Sequence, residues 1–269
     1  MSADLAIVQR DVSVAPYLEL VKFRYHITFV NVVFGTLIFA RELTPWLGLQ
    51  LVCLYVSFNV LLYGGIYTLN DIADRVVDAE HPHKRERPVA SCRVSVRGAV
   101  RFAAMSIAAG LLTGVLWLGT GILPYYAAIL GLNLLYSSAG RNIRYVDLLL
   151  NALPHVVRFA MGVWLVDRIP TAGHLLAFLS LAIAMSALRR AVEHDVSGCA
   201  GRQTLRRYTR RALDATVLVC VASLAILTTL YVNAAPGFFA IVDSAALVLL
   251  GGGYSVPAIR RELRTVWIR

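Results

Sequence analysis

Asn70-Asp71-Ile72-Ala73-Asp74-Arg75-Val76-Val77-Asp78 follows without a break on the apolar run Gly48–Leu69. A run of that length matches the roughly 20 residues a helix needs to cross the hydrocarbon core of a bilayer. If the helix continues past Leu69, each residue advances by about 100°, so Asp71, Asp74 and Asp78 fall within about 60° of one another and Asn70 borders the same stripe. Three carboxylates on one face repel one another unless a cation lies among them. Hard oxygen ligands of this kind suit Mg²⁺, which binds through one or two carboxylates together with substrate phosphates. The plainer reading is a charged helix end. It accounts poorly for three acids on one stripe, because acids contribute little to topology and ionisable groups at membrane depth are costly.

The same ruler applied outward finds about eight apolar segments. They are Tyr25–Ala40, Gly48–Leu69, Ala99–Leu118, Leu123–Ser138, Val146–Val166, Ala172–Leu188, Leu213–Val232 and Phe238–Val256. All are too long for strands and lack alternation of period two. The expected fold is therefore all-α, a polytopic membrane helix bundle forming one domain over residues 1–269. Composition agrees: 58% of residues are hydrophobic and 16% charged, where a soluble domain carries about a quarter charged. Cys53, Cys92, Cys199 and Cys220 are scattered with no metal-ligand spacing, so neither a zinc site nor a disulfide framework is expected. Residues Met1 to Arg24 hold several charges and no compact apolar core, so the first span is expected to act as its own insertion signal.

The formal net charge is +10. With the N-terminus inside, one set of connections holds only Arg41 and Arg168, whereas the other holds Arg75, Lys84, Arg85, Arg87, Arg93 and Arg97, then Arg141 and Arg144, then a run from Arg189 to Arg211. This asymmetry predicts both termini and the polar loops on the cytoplasmic side of a plasma or inner membrane. Basic loops facing anionic lipid explain the charge without nucleic acid, and no protein partner is indicated.

After the acidic stripe comes His81-Pro82-His83-Lys84-Arg85-Glu86-Arg87-Pro88. Lys and Arg beside carboxylates can hold phosphate oxygens and neutralise a leaving diphosphate; the plainer role is topology. Asn70, Asp71, Asp74 and Asp78 at the end of the second span, followed by Lys84, Arg85, Arg87 and Pro88, resemble the first aspartate-rich motif of the UbiA superfamily of membrane prenyltransferases. The resemblance covers nearly the whole chain. It implies a helical bundle around a central cavity, with Mg²⁺ holding the diphosphate of an isoprenyl donor at the cytoplasmic mouth. Asp71, Asp74, Lys84 and Arg85 would then be catalytic, Asp71, Asp74, Asp78 and Glu193 metal ligands, and Asn70, Arg87 and Arg202 substrate contacts.

The second polar loop departs from that pattern. The superfamily carries a second Asp-x-x-x-Asp motif followed by Gly-x-x-Thr; Gly201 and Thr204 match the tail, Glu193 takes the first acidic place and Ser197 the second. One carboxylate is missing, and Glu193 could equally pair with Arg189 or Arg190 at helical spacing. The decaprenyl-phosphate phosphoribosyltransferase branch of the superfamily also lacks the second motif. Similar to it here are Tyr136 with Arg141, Asp147, Arg158, Arg190 with Glu193, and Arg207-Tyr208-Thr209; on that resemblance Tyr136, Arg141, Arg158 and Arg190 join the substrate contacts. Arg158 is the most telling physically, because an Arg within an apolar span must face a polar cavity or a phosphate, unless it snorkels to the interface. Lys22 and Arg24 read as interfacial groups at the first span, and His26 and His155 as satisfied polar contacts.

The expected function is Mg²⁺-dependent transfer of an isoprenyl group from its diphosphate to a lipophilic or aromatic acceptor, with release of pyrophosphate. The alternative is phosphoribosyl transfer onto a polyprenyl phosphate. A transporter or non-catalytic lipid-binding protein would explain the spans and basic loops but not the acidic stripe.

Overall fold

The computed structural model describes residues 14–80, 84–197, 205–259 and 261, and every regular element among them is helical. In chain order these are α1 (Ala15–Leu20), a 3₁₀ turn over Phe23–Phe29 that leads into α2 (Val30–Phe39), α3 (Pro45–Glu80), α4 (Val96–Leu118), α5 (Leu123–Ser138), α6 (Val146–Trp164), α7 (Ala172–Ser197), α8 (Arg210–Tyr231) and α9 (Pro236–Ser255). All eight predicted segments are helical. Six of them, α3, α4, α6, α7, α8 and α9, are long and apolar enough to cross a membrane. The other two are shorter than the predicted spans require: α2 has 10 residues and α5 has 16.

Local sequence explains where the helices begin. Thr44, Ser95 and Thr209 each accept a hydrogen bond from the backbone N–H three residues on, capping α3, α4 and α8. Pro45 and Pro236 occupy first-turn positions, where a missing N–H costs nothing. Gly119, at φ 87°, closes α4 in a conformation that only glycine adopts without strain.

The central element is α6. Its Met161, with Leu165 just past its end, packs with Phe58, Leu62, Tyr126 and Ile129 from α3 and α5, while Phe159 and Val163 pack with Phe178, Leu213 and Phe239 from α7, α8 and α9. Against α2 the approach is close enough to require glycine. A Cβ on Gly162 would stand 2.0 Å from the Val32 carbonyl oxygen, and one on Gly35 would stand 2.3 Å from the Phe159 carbonyl oxygen. Thr36 Oγ1 donates across the crossing to the Gly162 carbonyl (3.1 Å). Small residues and hydroxyl hydrogen bonds are how helices associate where lipid gives no hydrophobic drive. Ile27, Met105, Leu116, Leu218 and Leu247 are among many large apolar side chains left exposed. With six spanning helices, that surface marks an integral membrane protein.

Within α3 the turn Tyr55–Leu62 is π-helical. Such wide turns occur mostly at functional sites and rotate the face that follows. Beyond this turn the helix is regular to Glu80 and carries Tyr63, Tyr67, Asn70, Asp71, Asp74 and Asp78 along one side.

Candidate active site

The acidic stripe is helical, as expected, and basic side chains from three other segments converge on it. Lys22 Nζ lies 2.6 Å from Asp71 Oδ1. One nitrogen of Arg87 bridges two carboxylates, 3.2 Å from Asp71 Oδ1 and 2.7 Å from Asp78 Oδ2. Lys84 Nζ approaches Asp78 at 3.9 Å. Arg141, in the 3₁₀ turn after α5, donates to Asp74 Oδ1 at 2.6 Å, and Ser137 donates to Asn70 Oδ1 at 2.9 Å. Asp71 and Asp78 are buried, whereas Asp74 is half-buried. Lys22 reaches its partner because its backbone is left-handed (φ 54°), turning the chain between α1 and the 3₁₀ segment. A non-glycine residue in that region is strained, and such strain collects at functional sites. The left-handed turn had no signal in the sequence, and neither did the role of Lys22.

Among the described residues, no group of three His, Cys, Asp or Glu side chains is arranged to hold a metal ion. Asp74 is drawn to Arg141, while Asp71 and Asp78 share Arg87. The donor chemistry nevertheless fits a hard divalent cation. The stripe supplies only oxygen ligands, a positively charged nitrogen already bridges two of its members, and Asp71 Oδ2 is buried without a hydrogen-bond partner.

Across the bundle, α7 holds a second network. Arg190 donates from Nε to Asp147 Oδ2 (3.1 Å) and from Nη1 to Glu193 Oε2 (2.7 Å), and Arg189 donates to Glu193 Oε1 (3.0 Å). Both oxygens of Glu193, expected as a metal ligand, are therefore taken by arginines. Tyr208 donates to Asp147 Oδ1 and accepts from the Tyr145 backbone N–H. Burial, together with the bond to Asp147, pushes the Tyr208 phenol above its usual range.

Between these networks lies a cavity of about 550 Å³. Its polar lining includes Arg24, Thr28, Asn31, Tyr136, Asn151, His155, Ser186, Arg189 and Arg190; Phe178, Leu181, Met185 and Leu249 supply apolar wall, and no carboxylate among the described residues lines it. Asn31 Nδ2 donates to His155 Nδ1 at 2.8 Å. Arg158 is 3% exposed and lies inside α6, so it does not snorkel to the interface. Its guanidinium sits 4.4 Å from the Tyr63 ring centroid, with Nε unpartnered.

The fold thus brings Asn70, Asp71, Asp74, Asp78, Lys84, Arg87 and Arg141 to one mouth, and Tyr136 and Arg190 to the cavity. Arg85 is exposed and makes no ion pair with the stripe among the described residues. Arg202 lies outside the described residues.

Known proteins share this architecture. A family model described as the UbiA prenyltransferase family matches residues 28–266. The nodulation protein NoeC of Azorhizobium caulinodans is 30% identical over 148 residues, which is 54% of this chain and 45% of that protein, so the match spans less than half the relative's length. The structure of a UbiA homolog from Archaeoglobus fulgidus bound to GPP and Mg²⁺ superposes with a TM-score of 0.70 at 17% identity, covering 94% of this chain and 95% of that one. An apo UbiA homolog from Aeropyrum pernix K1 gives a TM-score of 0.63 at 18% identity, covering 93% and 95%.

Proposed function

The chain belongs to the UbiA prenyltransferase family, and from that premise we propose that it is a Mg²⁺-dependent membrane transferase. It binds a diphosphate donor at the mouth formed by α3, passes the donor's organic group to a lipophilic acceptor in the bundle, and releases pyrophosphate. The mouth faces the cytoplasm, as the basic loops predict. The observation that carries this reading is the acidic stripe: Asp71, with a buried oxygen left unpartnered, amid cations from three other segments.

Asp71, Asp74 and Asp78 would hold the metal; that the A. fulgidus homolog was solved with GPP and Mg²⁺ supports a Mg²⁺-bound diphosphate donor. Bound there, Mg²⁺ would neutralise charge that develops on the leaving diphosphate. Lys22, Lys84, Arg87 and Arg141 now rest on carboxylates. They stand ready to take donor phosphate oxygens by charge-assisted hydrogen bonds. Such donors favour the transition state when charge grows on the leaving group beyond that of the bound donor.

On the family's pattern the donor is an isoprenyl diphosphate. A second reading, phosphoribosyl transfer from phosphoribosyl diphosphate to a polyprenyl phosphate, is favoured by one specific observation. Where a second metal-binding carboxylate would serve the donor, Glu193 is held by Arg189 and Arg190, and the adjoining cavity offers arginines, amides and hydroxyls. Those polar groups suit hydroxyls and phosphate, beside an apolar wall of Phe178, Leu181, Met185 and Leu249.

Pyrophosphate release by the purified protein in lipid nanodiscs tests both readings. A geranylgeranyl-type diphosphate with candidate acceptors is compared with phosphoribosyl diphosphate plus polyprenyl phosphate. Turnover with the isoprenyl donor, lost on adding EDTA, supports the first; turnover with the phosphoribosyl donor alone replaces it by the second. Metal-independent lipid binding without turnover of either donor would overturn both.

A further inference from the structure

A second cavity, of about 670 Å³, lies between α8 and α9 and shares no lining residue with the arginine-lined one. That volume falls within the roughly 300–1,000 Å³ of ligand pockets. Its α8 wall runs from Asp214 to Thr228, about 21 Å at 1.5 Å per residue. Val217, Leu224, Ala246 and Leu250 form a buried floor, while Leu218 and Leu247 at the rim are 69% and 75% exposed, so the groove opens to lipid. Its α9 wall includes residues of the π-helical turn Leu247–Gly251, a wide turn of the kind found mostly at functional sites. A Cβ added at Gly251 would meet nothing nearer than Leu247 Cδ1 at 3.9 Å, so there is room for a side chain there. A carboxylate stands at each end. Asp214 is satisfied, because Arg210 Nε donates to both its oxygens and the Tyr254 hydroxyl to Oδ1. Asp243 is not. It is half-buried and lies seven residues past Pro236 in a membrane span, a depth of about 10 Å. Among the described residues its one partner is Thr228 Oγ1, which donates to Oδ1 at 3.1 Å and leaves Oδ2 open. Hydrocarbon offers such an oxygen no donor, which is why an ionisable residue at membrane depth points to a function.

We propose that the groove between α8 and α9 binds a neutral long-chain alcohol from the bilayer. Its hydroxyl donates to the open oxygen of Asp243, and its chain lies along the apolar floor toward Tyr254. The site stands apart from the mouth and does not depend on how the mouth is read. Asp243 decides the headgroup. The acyl chain of an ordinary phospholipid would leave Oδ2 without a donor. A phosphate headgroup would meet two carboxylates and, among the described residues, no basic side chain in the lining. An ammonium would have to give up its water about 10 Å inside the span, a far larger cost than burying a hydroxyl that finds a partner.

The experiment uses the full chain in phosphatidylcholine nanodiscs and hexadecanol with a photoreactive diazirine in its chain. Irradiation should label peptides of α8 and α9, and unlabelled hexadecanol should suppress that labelling. Hexadecane, hexadecyl phosphate and hexadecylamine should each compete about tenfold more weakly, the loss expected for one hydrogen bond to a charged or polar partner in an apolar site. Wild type alone can overturn the proposal. No label on α8 or α9 would do so, and so would equal competition by hexadecane, which means bulk lipid chains fill the groove. Stronger competition by the amine or the phosphate assigns the groove to a charged amphiphile instead. Labelling that falls as protein concentration rises assigns it to a second copy of the chain. Variants then locate the site. Asp243→Leu should weaken suppression by hexadecanol about tenfold, whereas Asp243→Asn, which keeps a polar partner for the hydroxyl, should stay near wild type. Gly251→Leu should abolish labelling by filling the groove. Circular dichroism of each variant in the same nanodiscs shows that it is folded. Labelling unchanged in both folded Asp243→Leu and folded Gly251→Leu overturns the proposal.

Discussion

Replacing Arg190 with methionine should strand Asp147. The Asp147 side chain is fully buried, that of Arg190 is 5% exposed, and the Nε–Oδ2 distance of 3.1 Å makes Arg190 the only cation paired with Asp147 among the described residues. Tyr208 remains as a neutral donor after the change. Breaking a buried pair from one side costs about 3–5 kcal/mol, because the remaining charge stays buried without compensation. Retention of the Tyr208 bond and partial satisfaction of polar groups in the unfolded state both reduce this, so about 3 kcal/mol is expected. Removing both charges should relieve most of the penalty, so Arg190→Met/Asp147→Leu should recover at least half of what Arg190→Met loses. Reversible denaturant unfolding in detergent, read as a double-mutant cycle, measures both numbers. If Arg190→Met falls within 1 kcal/mol of wild type, or the double variant is no more stable than the single, Asp147 does not depend on Arg190 and the network is misread. Arg190 also lines the cavity, so pyrophosphate release by the restabilised double variant separates a substrate contact from a purely structural one. Activity near wild type would mean that Arg190 only holds Asp147.

Asp71→Asn and Asp74→Asn should each lower pyrophosphate release at least a hundredfold, while circular dichroism and detergent unfolding stay near wild type for the half-buried Asp74. Gly162→Ala places a Cβ 2.0 Å from the Val32 carbonyl oxygen; forcing α2 from α6 should cost about 1–3 kcal/mol in the same unfolding assay. Glu19 is held below its usual carboxylate range by its hydrogen bond to Arg93. Its contribution to stability is therefore present above the ordinary glutamate range and lost as pH falls through the depressed folded value. The pair is nearly half exposed, so Arg93→Met should leave stability at pH 7 almost unchanged and slightly flatten the acid limb of a stability–pH curve.

What could be read from the sequence was local. Segment length and apolarity located the helical segments, six of which are long and apolar enough to span, and the helical period put Asp71, Asp74 and Asp78 on one face before any packing was known. The i, i+3 and i, i+4 pairs of Glu193 with Arg190 and Arg189 were equally legible, as an alternative to metal ligation. What could not be read depends on tertiary geometry. Lys22 meets Asp71 across 49 residues through one left-handed residue, and Asp147 meets Arg190 across 43. The π-helical turn that sets the face presented by Tyr63 and the acids has no compositional mark. Arg158 shows both sides of this: its place in an apolar span signalled a polar role, but only packing reveals that no carboxylate meets it.

The acidic stripe and the α7 network match their charges differently. On α3 three carboxylates meet Lys22, Lys84, Arg87 and Arg141, and one oxygen of Asp71 is still left without a hydrogen-bond partner. On α7, Glu193 and Asp147 together hold Arg189 and Arg190, and both arginines line the cavity together with Arg24. A carboxylate attracts an anion only through an intervening cation, whereas a guanidinium attracts one directly. This difference makes the departure of the second polar loop intelligible. In the sequence Ser197 stands where the resemblance leads one to expect a second carboxylate, and the α7 side presents arginines to the cavity. An anion at the mouth should therefore bind through Mg²⁺, whereas one drawn to the arginine-lined cavity should bind without it.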